Sequence, residues 1–184
     1  IGASDNDITP DLAALEAAIN DNTALVTLSH VVFKSGYMYD MQRITELAHK
    51  KGALVLWDLS HSVGSVPVHL DDCNADFAIG CTYKYLNSGP GGPAFIYVAP
   101  RHADVARPAL SGWLGHAAPF AFDQSYRPGQ RIERMRVGTP PVLQLAALDA
   151  ALDVWDDVDL REVHAQSLRL QDQFIKGVES RAPM

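Results

Sequence analysis

The residues of this chain that could do chemistry crowd into one stretch. Trp57-Asp58-Leu59-Ser60-His61-Ser62 is followed by Cys81-Thr82-Tyr83-Lys84-Tyr85-Leu86-Asn87 and then by Gly89-Pro90-Gly91-Gly92-Pro93. Asp58 and Lys84 stand 26 residues apart, each just after a predicted strand. A lysine between an apolar strand and a glycine-rich loop suits Schiff-base chemistry, because partial burial favours the free amine. Taken singly, these signals are weak. Most lysines in turns are surface residues, an aspartate after a strand caps a helix as readily as it serves a site, a single histidine such as His61 more often fills a core, and Tyr83 more often packs. Gly-Pro-Gly-Gly is a turn and lacks the pattern of a phosphate P-loop. Together they predict a polar site near Asp58, His61 and Lys84.

The surrounding elements must position that site. Thr9-Pro10-Asp11 predicts a helix start with Thr9 as cap, and Leu12, Leu15 and Ile19 recur at helical spacing. Strands are expected over 24–29, 53–57, 76–80 and 94–98. Asp40 is expected to cap a helix with Met41, Ile44, Leu47 and Ala48 on one face, and Gly52 to stop it. Strands alternating with helices, each strand apolar throughout, predict an α/β sheet covered on both faces. The polar residues Ser29, Asp58 and His61 fall just after strands, where open α/β sheets bind ligands. From Pro100 to Pro141 the pattern is irregular. Thr139 with Pro140 then predicts a helix carrying Val142, Leu145, Leu148, Leu152 and Trp155. Asp159 with Glu162 predicts another, running nearly to Met184.

Composition excludes several classes. The 184 residues carry a formal charge of −7, with 47% apolar and 20% charged residues. That is a globular balance, and the negative charge argues against a nucleic-acid partner. No apolar run approaches the ~18 residues of a membrane span, so no membrane partner is expected. Two cysteines, Cys73 and Cys81, give neither a disulfide framework nor metal-type spacing, so no metal is expected and a cytoplasmic setting fits. Ile1-Gly2-Ala3-Ser4 is no signal peptide and lacks an initiator Met, so the chain is expected to begin inside a longer protein.

With these residues in view, the chain resembles the kynureninases, pyridoxal 5′-phosphate (PLP) enzymes of the fold-type I aminotransferase superfamily. The resemblance is carried by Trp57–Ser62, Gly80–Asn87, Gly89-Pro90-Gly91 and Leu110-Ser111-Gly112-Trp113-Leu114-Gly115-His116, supported by Ser29-His30-Val31 and Gly138-Thr139-Pro140-Pro141. It implies an α/β fold: part of the PLP-binding large domain over 1–140, a mostly parallel sheet flanked by helices, then a connecting helix and the start of a small C-terminal domain over 141–184.

The resemblance also implies roles. Lys84 would bond PLP and move the Cα proton, and Asp58 would pair with the pyridine nitrogen. His61 would sit beside the ring, and Ser29 would line its pocket. Tyr83 would reach the phosphate and aid proton transfer, while Trp113 and Thr139 would complete the phosphate site, in a homodimer. The implied reaction cleaves the Cβ–Cγ bond of L-kynurenine, or of 3-hydroxykynurenine, to the anthranilate and L-alanine. Ser60 departs from the family's usual Ala. The family's phosphate-binding threonines and ring-stacking aromatic are expected upstream of Ile1, and its carboxylate-binding arginine beyond Met184. The alternatives are a cysteine desulfurase, an aminotransferase, or a segment inactive by itself. A desulfurase needs a mobile cysteine downstream of the lysine, whereas Cys73 and Cys81 both precede Lys84.

Overall fold

The structure, a computed structural model, describes residues 9–182. The Ile1–Ser4 terminus and Met184 lie outside the described residues. Helix α1 spans Leu12–Ala18 and α2 spans Met41–Lys50. The strands are β1 (Leu25–Ser29), β2 (Leu54–Asp58), β3 (Phe77–Cys81) and β4 (Ala94–Val98). Helices α3 (Val142–Leu152) and α4 (Leu160–Arg181) complete the described chain.

The first cap differs from expectation. Asp11, not Thr9, caps α1, accepting from the Ala14 N–H at 2.9 Å. Its extended backbone aims the carboxylate at the free N–H groups of the first turn, which leaves Pro10 ahead of the cap. Asp40 caps α2 as expected, accepting from the Arg43 N–H at 2.9 Å. Gly52 follows the end of α2 at φ +77°, a left-handed conformation that glycine takes without strain.

The sheet runs β1-β2-β3-β4. β1, β2 and β3 are parallel neighbours, with α2 as the crossover between the first two, and β4 returns antiparallel to β3. Side chains alternate across the pleat. One face carries Val26, Val55, Trp57 and Ala78, which pack with Leu15 and Ile19 from α1 and Met41, Ile44 and Ala48 from α2. The α2 contributors fall at helical spacing, and each fully buried Leu, Ile or Met contributes roughly 1.5–3 kcal/mol. Trp57 is fully buried, and its indole N–H donates to Thr45 on α2 at 3.1 Å.

The expectation of cover on both faces does not hold among the described residues. Leu25, Leu54, Ile79 and Ile96 lie on the other face and are 38% to 48% exposed. The strands are apolar on both sides, but the described helices α1 and α2 supply only one layer. Ser29, Asp58 and Cys81 share the open face by their two-residue spacing.

The opposite end of the sheet is tied by Asp76, 1% exposed, just before β3. Its carboxylate meets His49 of α2 at 2.8 Å, His102 at 2.6 Å and Arg101 at 2.7 Å, and accepts from the Val55 N–H at 2.8 Å. Beyond β4 the chain is irregular as expected. Buried Arg134 fastens this stretch by donating to the carbonyls of Gly129 at 3.1 Å and Asp104 at 3.0 Å.

Helix α3 starts after Pro141 with no side-chain cap, so Thr139 does not play the expected part. Trp155 lies in a separate 3₁₀ turn, Asp153–Trp155. Asp159 caps α4 as expected, accepting from the Arg161 N–H at 2.8 Å. Neither α3 nor α4 buries a residue. No helix among the described residues is long and apolar enough to cross a membrane.

Candidate active site

The polar residues collect at the carboxyl edge of the parallel strands. Ser29 and Asp58 are register partners at the ends of β1 and β2. The Ser29 hydroxyl donates to Asp58 Oδ2 at 3.2 Å, and the Ser60 N–H donates to Oδ1 at 2.8 Å. The main chain is fixed as well, because the His30 N–H donates to the Asp58 carbonyl at 2.9 Å and the Leu59 N–H to that of Ile79 at 2.8 Å. Asp58 therefore presents its carboxylate from a backbone held on both sides. Burial pushes its carboxyl upward, but hydrogen bonds from Ser60 and Ser29 and the nearby His61 outweigh that, and the net direction is down. Asp58 is an anion at neutral pH.

His61 follows in the turn after β2. Its Nε2 lies 3.0 Å from Lys84 Nζ. Burial and then the positive charge of Lys84 push the His61 pKa down, against a smaller upward pull from Asp58. The neutral ring accepts from the ammonium through Nε2, which places the ring proton on Nδ1. Phe33 overhangs His61, with ring centroids 6.0 Å apart. His30, behind β1, packs edge-on to Trp57 at 6.0 Å, and burial lowers its pKa. Its Nδ1 is buried without a partner among the described residues.

Lys84 sits in the turn joining β3 to β4. The Asn87 N–H donates to the Lys84 carbonyl at 3.1 Å, and Asn87 takes a left-handed φ of +63°. Gly64 closes against this turn at φ +82°, where an added Cβ would stand 2.7 Å from the Tyr85 carbonyl oxygen. Tyr83 is about half exposed, with its ring centroid 5.4 Å from Lys84 Nζ.

The structure thus gathers Ser29, Asp58, His61, Tyr83 and Lys84. It does not bring Trp113 or Thr139 to them. Trp113 packs on Phe120 at 5.8 Å, and Thr139 is exposed. Neither bonds to the other site residues among those described.

Two features went unanticipated in the sequence. One is the Ser60 N–H on Asp58, since backbone donors leave no trace in residue type. The other is Phe33 over His61, since a lone aromatic in a loop carries no spacing signal. An anion, an amine and a neutral imidazole now share one sheet edge. That set fits a cofactor with a cationic ring nitrogen and an aldehyde: Asp58 matches the first and Lys84 the second.

Similarity to known proteins agrees with this geometry. The aminotransferase class-V profile matches residues 3–183. The kynureninase of Pseudomonas fluorescens is 49% identical over 167 residues, covering 91% of this chain and 40% of that protein. The kynureninase of Burkholderia mallei (strain SAVP1) is 46% identical over 171 residues, covering 93% of this chain and 41% of its own length. The chain therefore spans about two-fifths of these curated relatives.

Among solved structures, the apo cysteine desulfurase of Thermococcus onnurineus NA1 superposes with a TM-score of 0.78 at 24% identity, covering 96% of this chain and 43% of that one. A C-DES mutant with glycine covalently linked to its PLP cofactor gives 0.77 at 20% identity, covering 94% and 46%. At these identities the likeness establishes the fold alone. With the family profile spanning nearly every residue and the mixed sheet presenting aspartate and lysine at one edge, the chain belongs to the aminotransferase class-V family, on the fold-type I scaffold.

Proposed function

We propose that this chain is the central part of a PLP-dependent hydrolase that cleaves the Cβ–Cγ bond of L-kynurenine, or of 3-hydroxykynurenine, giving the anthranilate and L-alanine in tryptophan catabolism. The supporting observation is the 46–49% identity to two kynureninases over more than nine-tenths of the chain. Residues 1–140 then belong to the cofactor-binding large domain, and 141–184 connect to the small one. That neither α3 nor α4 buries a residue supports that division. The working enzyme is a cytoplasmic homodimer in this reading, with Trp113 and Thr139 serving the phosphate from a neighbouring subunit.

When bound, PLP supplies an electron sink for charge developing at the substrate carbon. Lys84 holds the cofactor through Nζ, and Asp58 holds the ring nitrogen in its protonated form. Anionic Asp58 can do so because Ser29 and Ser60 keep its carboxyl ionised. A neutral partner at 58 could not hold the positive charge. Once its amine is free, Lys84 carries the proton at the substrate Cα. His61 Nε2 accepts from Lys84 Nζ and so orients the amine. Tyr83, beside Lys84 and half exposed, is placed to reach the phosphate and pass a proton.

The test uses the full-length protein. Supplied with PLP and L-kynurenine, it is expected to release fluorescent anthranilate, and borohydride trapping is expected to label Lys84. Release of alanine and sulfur from cysteine, without anthranilate, would transfer the assignment to a cysteine desulfurase. Label at another lysine would remove Lys84 from its role.

A further inference from the structure

We propose that Thr82 is a positioning residue for Lys84, acting through a hydroxyl pair with Ser88 that clamps the two ends of the lysine turn. Its bearing on catalysis rests on the reading of Lys84 given above. Its structural basis does not.

The turn leaves β3 after Cys81 and re-enters β4 at Ala94, which are register partners. Thr82 is the first residue out and is buried. Its Oγ lies 2.6 Å from the Pro93 carbonyl and 2.8 Å from Ser88 Oγ. A carbonyl only accepts, so the single hydroxyl proton of Thr82 goes to Pro93. Ser88 must therefore donate to Thr82. The Ser88 N–H also donates to the Thr82 carbonyl at 3.2 Å. Thr82 is thus bonded both to the residue before β4 and to the far limb of its own turn.

Gly92 completes the clamp. A Cβ there would overlap Ser88 Oγ and stand 2.9 Å from Thr82 Oγ1, so the glycine reserves the space the two hydroxyls occupy. Lys84 lies two residues beyond this anchor, and its carbonyl is held by Asn87 from the other side. The direction of the lysine side chain toward His61 follows from a main chain fixed at both limbs.

The test reads the His61 midpoint by NMR in the cofactor-free full-length protein. His61 is faced by Lys84 from the turn and by Asp58 from β2, so its midpoint reports where the lysine charge sits. K84M is expected to raise the midpoint by removing that charge. T82V, equal in volume but without the hydroxyl, is expected to raise it by at least half as much. T82S, which keeps the hydroxyl, is expected to leave it at the wild-type value.

A folded T82V with the wild-type midpoint would overturn the proposal, as would a T82S that moves like T82V or a K84M that moves nothing. Should T82V fail to fold, S88A decides: a shift toward K84M supports the clamp, and a wild-type midpoint overturns it. A loss of melting temperature alone would not move the His61 midpoint. No turnover enters this measurement, so its failure leaves the kynurenine assay standing, and failure of that assay leaves this result standing.

Discussion

Ser29 and Asp58 face each other across two parallel strands, and the Ser29 hydroxyl donates to Asp58 Oδ2 at 3.2 Å. Burial alone would raise the Asp58 carboxyl; the donors from Ser60 and Ser29 bring it below its ordinary value. Removing one donor must therefore raise it. In S29A the acid limb of the kcat/KM profile should move to higher pH, since activity that needs the anion is lost earlier as pH falls. D58N should fold and lose at least about 100-fold in kcat. Unchanged profiles measured on full-length S29A would separate Ser29 from the ionisation of Asp58.

Gly64 touches the lysine turn from outside, with φ +82° and the Tyr85 carbonyl oxygen 2.7 Å from where a Cβ would stand. G64A should cost about 1–3 kcal/mol through left-handed strain and the clash together. It should also lower the yield of borohydride-trapped Lys84 in the fraction that remains folded, because the displaced carbonyl belongs to the residue after Lys84. Urea unfolding and peptide mass mapping of the trapped protein measure the two effects separately.

Asp76 governs acid stability. Burial would raise its carboxyl, yet His49, His102, the Val55 N–H and Arg101 bring it down to about 2. Relative to an ordinary aspartate this contributes about 2 kcal/mol. The contribution is complete above the unfolded value near 4 and is lost as pH falls toward 2. Urea midpoints should fall steeply over that window. D76N at neutral pH should cost about 1–3 kcal/mol by weakening the hydrogen bonds that the buried carboxylate accepts, and should flatten the acid dependence.

Trp57 and Thr45 join β2 to α2 through the bond from indole to hydroxyl at 3.1 Å. T45V should cost about 1–3 kcal/mol by stranding the indole N–H. W57F should cost a similar amount through lost volume. The double variant should cost less than the sum, because the stranded donor is gone. Additivity in chemical denaturation would show that the bond contributes nothing.

Much of this was legible in residue type and order. The caps Asp40 and Asp159, the four strands to within a residue, and the Asp58–His61–Lys84 grouping all come from local rules that tertiary packing did not override. The errors have local causes too. Thr9 and Asp11 both suit a cap, and only backbone geometry chose between them. Apolar residues on both sides of each strand say that both faces tolerate burial, not which described helix covers them. The Asp76 cluster joins residues 49, 55, 76, 101 and 102, which share no periodicity. The hydroxyl clamp under Lys84 depends on which proton goes where, and no spacing rule encodes that.

The antiparallel return of β4 has a consequence for the order of assembly. Pairing β3 with β4 closes a short local loop, whereas pairing β1 with β2 must await the passage of α2. Local closures form sooner than non-local ones. The ribbon that carries Lys84 is therefore expected to be set early in folding, with the strand bearing Ser29 arriving afterwards at an edge where Lys84 already stands.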